Sequence, residues 1–286
     1  STEFTMKPRV VLLASAGLVV AARVAPPGFP APSGEGWSVV LDAEGHASVK
    51  AGQPPAVADA VAWGTFNDAI NSTGWSVLDV HSSPAQSGER QSYAAGFLEG
   101  LLTHERIAQH RVNMWGNDFP DAKVPHSISS WMDNNVQWMR EQVVQRKSDP
   151  YWALAGFLLD QLHGLSDGYN EARRRLGKPP VPEAQVLLQT LVDTDMDDVV
   201  TAVEKHGHLV NEHYRHHSRR RRSAAAGVPG RKGHCSALVQ CAPGNTDLWV
   251  GHATWDEYRG MLRMVKYFDM PLPGAVARRL VFTSNP

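Results

Sequence analysis

Apolar and polar positions alternate with two different periods along this chain, and the change of period divides it into elements. A period near 3.6 predicts helices over 57–70 (Val57, Val61, Ala62, Phe66, Ala69, Ile70), 93–109 (Tyr93, Phe97, Leu101, Ile107) and 127–144 (Ile128, Met132, Val136, Met139). The same period runs through 150–169 (Leu154, Leu158, Leu162) and 182–203 (Val186, Leu187, Leu191, Val199, Val203). Asp149 before Pro150 is a helix-start signal. The acidic run 193–198 offers a second, short helix start, and Gly74 a stop for the first helix. Extended segments are predicted at 37–42 and 47–50 around a turn at Glu44-Gly45, and at 75–80. Beyond residue 235 the pattern becomes sheet-like. Segments 236–241 and 248–251 form a hairpin about Pro243-Gly244-Asn245, and 279–283 begins another strand. Between them, Thr254 and Glu257 read as a capping box for a helix with apolar face Tyr258, Met261, Leu262, Val265 and Phe268. These stripes are core positions, and the class they imply is α+β.

Composition adjusts this picture in a few places. A hydrophobic fraction of 42% over 286 residues supports a substantial core and excludes global disorder. A net charge of -1 excludes a whole-chain field drawing it to nucleic acid or an anionic membrane. Met6-Lys7-Pro8-Arg9 followed by the apolar run 10–22 reads as a signal peptide, occupying 1–22 with the preceding residues. That run is too short for a transmembrane helix. A secreted or lysosomal location follows, and Asn71-Ser72-Thr73 is then a glycosylation acceptor at Asn71. Residues 23–206 form one portion, 207–234 a basic and glycine-rich linker, and 235–286 a second portion.

The linker carries His213, His216, His217 and Arg219-Arg220-Arg221-Arg222. As a metal site the histidines lack a carboxylate or thiol at suitable spacing. As a basic patch the arginines would bind nucleic acid or a glycosaminoglycan, which fits poorly with secretion. A protease-sensitive connector and a solvated loop without a role remain equally open.

The candidate chemistry is at Gly233-His234-Cys235-Ser236 and, on the next strand, His252. A cysteine reacts as a thiolate or beside a base. If the bond between His234 and Cys235 is cut, Cys235 carries its own base, an α-amino group with a pKa of about 7.7–8.0. His252 would donate to or orient the reacting group. Read from residue types alone, a cysteine heading a strand packs more often than it reacts. A papain-like Cys–His pair would want Cys235 at a helix start. Cys235 and Cys241 are six apart, so on one strand they lie about 20 Å apart and cannot bridge. Either that strand is misread or both thiols are free.

Several motifs together resemble the phospholipase B-like family. They are Asp59-Ala60-Val61-Ala62-Trp63, Thr73-Gly74-Trp75, Tyr93-Ala94-Ala95-Gly96-Phe97-Leu98-Glu99 and Gln161-Leu162-His163-Gly164. The most specific are Cys235-Ser236-Ala237-Leu238-Val239, Pro243-Gly244, His252, Thr254-Trp255 and Met261-Leu262-Arg263. The resemblance implies an amino-terminal nucleophile hydrolase, with αββα layers that are incomplete in this chain. It implies cleavage between His234 and Cys235 into α and β portions that stay associated, with Cys235 as nucleophile and His252 beside it. The implied substrate is an acyl ester or amide of a lipid, and no metal or organic cofactor is implied. Ala253 stands where relatives carry asparagine, and His234 is bulkier than the small residue expected before the cut. Relatives are expected to continue well beyond Pro286. The competing reading is a non-catalytic remnant of the same fold that binds lipid or a protein partner.

Overall fold

A computed structural model describes residues 32–118, 124–183, 185–186, 196–205, 235–254 and 263–284. Six strands form one mixed sheet in the order β2-β1-β3-β4-β7-β8. They are β1 (Gly36–Leu41), β2 (Ala47–Ala51), β3 (Ala62–Asn67), β4 (Ser76–Ser82), β7 (Met264–Asp269) and β8 (Arg279–Ser284). Only β4 and β7 pair in parallel; the other neighbours are antiparallel. Strands β5 (Cys235–Cys241) and β6 (Leu248–Thr254) form a separate two-stranded ribbon. The helices are α1 (Ile70–Thr73), α2 (Gly88–Leu102), α3 (His104–Asp118), α4 (His126–Gln145), α5 (Pro150–Arg175) and α6 (Met196–Lys205). The class is therefore α+β.

Strand register sorts the sheet into two faces. On one, Val39, Ala62, Leu78, Val80, Met264 and Phe268 pack against Ala94, Ala95, Leu98 and Leu101 of α2. The other carries a smaller apolar cluster of Val77, Val265, Tyr267 and Val281. Helix α5 lies against α2 through four glycines. A Cβ on Gly96 or Gly100 would sit 1.9 or 2.1 Å from the carbonyl oxygen of Gln161 or Leu165. On Gly164 or Gly168 it would sit 2.0 or 1.9 Å from that of Tyr93 or Phe97. Asp149 caps α5 as expected, its side chain accepting from the Tyr151 amide at 3.0 Å.

Three expected elements differ. The helix expected over 57–70 is instead a loop, strand β3 and the single turn α1. Its apolar spacing fits two periods, and the close approach of Gly64 to the Asp79 carbonyl (2.0 Å for an added Cβ) decides for the strand. Gly74 does end α1, in the left-handed conformation (φ 79°). The helix expected over 93–109 is two helices, broken at Thr103, whose hydroxyl and amide both donate to the Glu99 carbonyl. The helix expected after Thr254 is contradicted at Val265 and Phe268, which belong to β7. Every residue of β7 is buried. A central strand covered on both faces loses its alternation, so a helical period fits it by coincidence. Glu257, Tyr258, Met261 and Leu262 lie outside the described residues, as do residues 1–31 and the linker.

Candidate active site

The ribbon that carries the proposed nucleophile is built from its turn. Pro243–Asn245 makes one 3-10 turn, with Gly244 at φ 72° and Asn245 at φ 55°. Glycine and asparagine are the residues that tolerate this left-handed geometry. The Ala242 amide donates to the Asp247 carbonyl at 2.9 Å and closes the loop. From there the register runs Cys241 opposite Leu248, Ala237 opposite His252 and Cys235 opposite Thr254. Cys235 is the first residue of β5. Cys235 and His252 thus occupy diagonal positions on one face of the ribbon, a separation of about 7–8 Å between backbones. The expected strand holds, so Cys235 and Cys241 sit at its opposite ends, and the Cys241 thiol is free and exposed. His234 and the side chains of Cys235 and His252 lie outside the described residues. Leu238, Val239, Leu248, Trp249 and Val250 are each more than half exposed.

The sheet fastens this half of the chain to the first. Lys266 of β7 donates to Glu99 of α2 at 2.8 Å, both side chains nearly buried. On the opposite face His81 donates to the Asp79 carboxylate at 2.9 Å and stacks on Trp63, with ring centroids 5.8 Å apart. Asp269 lies 3.9 Å from the same ring and is held by Arg278 and Arg279. The hydrogen bond to Asp79 holds the His81 imidazole above its ordinary pKa.

Sequence reasoning missed a second concavity. A cleft of about 870 Å³ opens between the β1–β2 turn, α2 and α5. In it the Tyr93 hydroxyl donates to Asp167 at 2.7 Å, and His163 is held by Glu183 at 2.8 Å. Burial, then Asp167, pushes the Tyr93 phenol far above its usual value. The available signal was the polar stripe Asp160, His163, Asp167, Glu171 and Arg174, spaced three and four apart along α5. Asp42, Glu44 and His46 in the β1–β2 turn also bring ligand-type atoms within 4.8 Å of one another. Asp42 there accepts from the His46 amide at 2.7 Å, which is turn geometry.

Comparison with known proteins accounts for the motifs. Residues 62–286 match the family Phospholipase B, well over half of the chain. The chain belongs to the phospholipase B family. It is 30% identical over 237 residues to "Phospholipase B" of Crotalus adamanteus, covering 79% of this chain and 40% of that protein. It is 27% identical over 247 residues to "Phospholipase B-like protein C" of Dictyostelium discoideum, covering 85% and 40%. With "Phospholipase B-like 1" of Bos taurus it shares 27% over 230 residues, covering 79% and 40%. This phospholipase B-family chain thus spans about two fifths of the length of the curated relatives it matches. No helix among its described residues is long and apolar enough to cross a membrane.

Proposed function

We propose that the chain belongs to a self-processed hydrolase of acyl ester or amide bonds in lipids, with an amino-terminal nucleophile fold. The observation that carries this reading is the ribbon register, which sets the first residue of β5 diagonal to His252 within a phospholipase B-family sequence. The Cys235 thiol attacks the carbonyl carbon of His234, and the acyl group moves from nitrogen to sulfur. Water hydrolyses the thioester, leaving a carboxylate on His234 and a free amine and thiol on Cys235. That amine then takes the thiol proton, and the thiolate attacks the acyl carbon of the substrate. The leaving alcohol or amine takes a proton, and water releases the fatty acid from the second thioester. Donors on neighbouring strands, with His252 among them, hold the developing oxyanion. In this reading residues 1–22 direct the protein to a secreted or lysosomal location. Exposed Asn71 is a glycan acceptor, and the α and β portions remain together after the cut at 234–235.

Mass spectrometry of material recovered from cells tests the proposal. A new amino terminus at Cys235 is expected, with release of fatty acid from phospholipid. C235A is expected to stay intact and release none; acyl release retained in that variant overturns the mechanism. The second reading, a non-catalytic lipid- or partner-binding chain of the same fold, draws on the exposed Leu238, Val239, Leu248, Trp249 and Val250. An intact chain that binds vesicles without hydrolysis favours it.

A further inference from the structure

The cleft between the β1–β2 turn, α2 and α5 has the volume of a small-molecule site and contains none of the β5–β6 ribbon. Its wall is apolar at Leu41, Phe97 and the ring of Tyr93. Its cations are mostly committed. The Arg90 guanidinium donates to the carbonyls of Leu41 and Asp42, and Arg174 forks onto Glu171 at 2.7 and 2.8 Å. His163 is balanced by Glu183 at 2.8 Å and Asp167 at 3.7 Å. Three lining carboxylates, Glu44, Glu89 and Asp160, make no hydrogen bond or close ion pair among the described residues; of the lining cations, Lys178 is in the same condition and Arg90 donates only to neutral oxygens. Burial, with Glu89 adding repulsion, holds the Asp160 carboxyl above its ordinary pKa despite the opposing attraction of Arg140 and His163. A half-buried carboxylate in that position is stabilised by an arriving positive charge. An anion would meet a lining of five carboxylates, Glu44, Glu89, Asp160, Asp167 and Glu171, against three permanent cations, Arg90, Arg174 and Lys178. A bare metal ion would need three donors close together, and Asp160 and Glu89 belong to no such group among the described residues.

We propose that this cleft binds an organic ammonium ion on a short apolar stem, the charged end between Asp160 and Glu89 and the stem along Tyr93, Phe97 and Leu41. The Tyr93 ring adds a cation–π surface, and its hydroxyl bond to Asp167 fixes the ring in place. The site is independent of Cys235 and His252, so it stands or falls apart from the hydrolase reading.

Isothermal titration of the chain at pH 7.5 and low salt tests it with hexyltrimethylammonium and with hexanoate, a carboxylate with a comparable apolar stem. The cation is expected to bind and hexanoate to give no heat. D160N removes a half-buried charge that burial disfavours and that makes no hydrogen bond among the described residues, so the fold is expected to be retained and cation binding to weaken at least tenfold. K178A is expected to strengthen it two- to threefold. Binding of hexanoate as strong as that of the cation, an absence of cation binding, or D160N within twofold of wild type overturns the proposal. Sedimentation with phosphatidylcholine vesicles identifies the source of the ammonium. Retention lost in D160N assigns a lipid head group; retention unaffected by D160N assigns a free amine.

Discussion

His110 is only 1% exposed, and neither ring nitrogen has a hydrogen-bond partner among the described residues. Burial alone lowers its pKa to about 4. Above its unfolded value of about 6.5 the ring is neutral in both states and adds no pH dependence. Below that value the unfolded chain takes up a proton that the folded chain refuses, so stability falls as the pH drops toward 4. Between pH 7 and 5 the loss from this group is about 2 kcal/mol. Urea unfolding at pH 7, 6 and 5 is expected to show that slope and to show it reduced in His110→Leu. His81 has the opposite sign, because its folded pKa is raised by Asp79. Its contribution is complete below about pH 6.5 and disappears as the pH rises through the folded value. His81→Gln is therefore expected to be more destabilising at pH 6 than at pH 9. The ribbon that carries Cys235 and His252 was legible in sequence, because strand alternation and a Pro-Gly-Asn turn fix a hairpin locally. The cleft was not. Tyr93 and Asp167 are 74 residues apart and meet only through packing of α2 on α5.

At the scale of elements, α2 and α5 approach until backbone touches backbone, and that contact is the reason for glycine at 96, 100, 164 and 168. Alanine in an exposed helix is favoured over glycine by about 1 kcal/mol. Here the sign reverses. Gly168→Ala would put a methyl 1.9 Å from the Phe97 carbonyl oxygen, and the helices must separate to accept it. A loss at or above about 3 kcal/mol is expected, the upper end of core overpacking. Gly156 on the same helix meets only the Val143 side chain, at 3.0 Å, which can turn aside. Gly156→Ala is expected to cost less than 1 kcal/mol. Thermal melts of the two variants check both. The start of α5 was legible from the cap at Asp149, but its buried face was not: the expected stripe through Leu154 and Leu158 leaves Leu158 52% exposed, and the buried face runs instead through Trp152, Ala155, Leu159, Gly164 and Gly168, because close backbone packing on α2 selects small residues over leucine. Strands β3 and β7 were not legible. One has its alternation obscured by Gly64, and the other is buried on both faces, so the signal that separates helix from strand is absent from both.

For the whole molecule, the decisive feature is where a cut between His234 and Cys235 would fall in the sheet. Strands β1 to β4 precede it, whereas β7 and β8 follow it, yet all six belong to one sheet. The junction is the parallel pair β4–β7, in register from Ser76 opposite Met264 to His81 opposite Asp269. Parallel neighbours need a long crossover, so breaking that connection need not disturb the pairing itself. Two further ties cross the same line. Met264 and Phe268 complete the core beneath α2, and Lys266 is paired with Glu99 over a separation of 167 residues. Cleavage is therefore expected to leave two chains that co-elute in native size exclusion and separate only in denaturant. The buried ion pair ties the two portions through its geometry more than through net energy. Lys266→Met alone leaves the Glu99 carboxylate buried without its cation, an expected loss of about 3–5 kcal/mol. Combining it with Glu99→Leu removes both charges and is expected to recover most of that loss, since the pair offsets its own desolvation only narrowly. Urea unfolding of the cleaved protein and the two variants distinguishes these cases. If K266M and the double variant are equally unstable, it is shape rather than charge that joins β7 to α2.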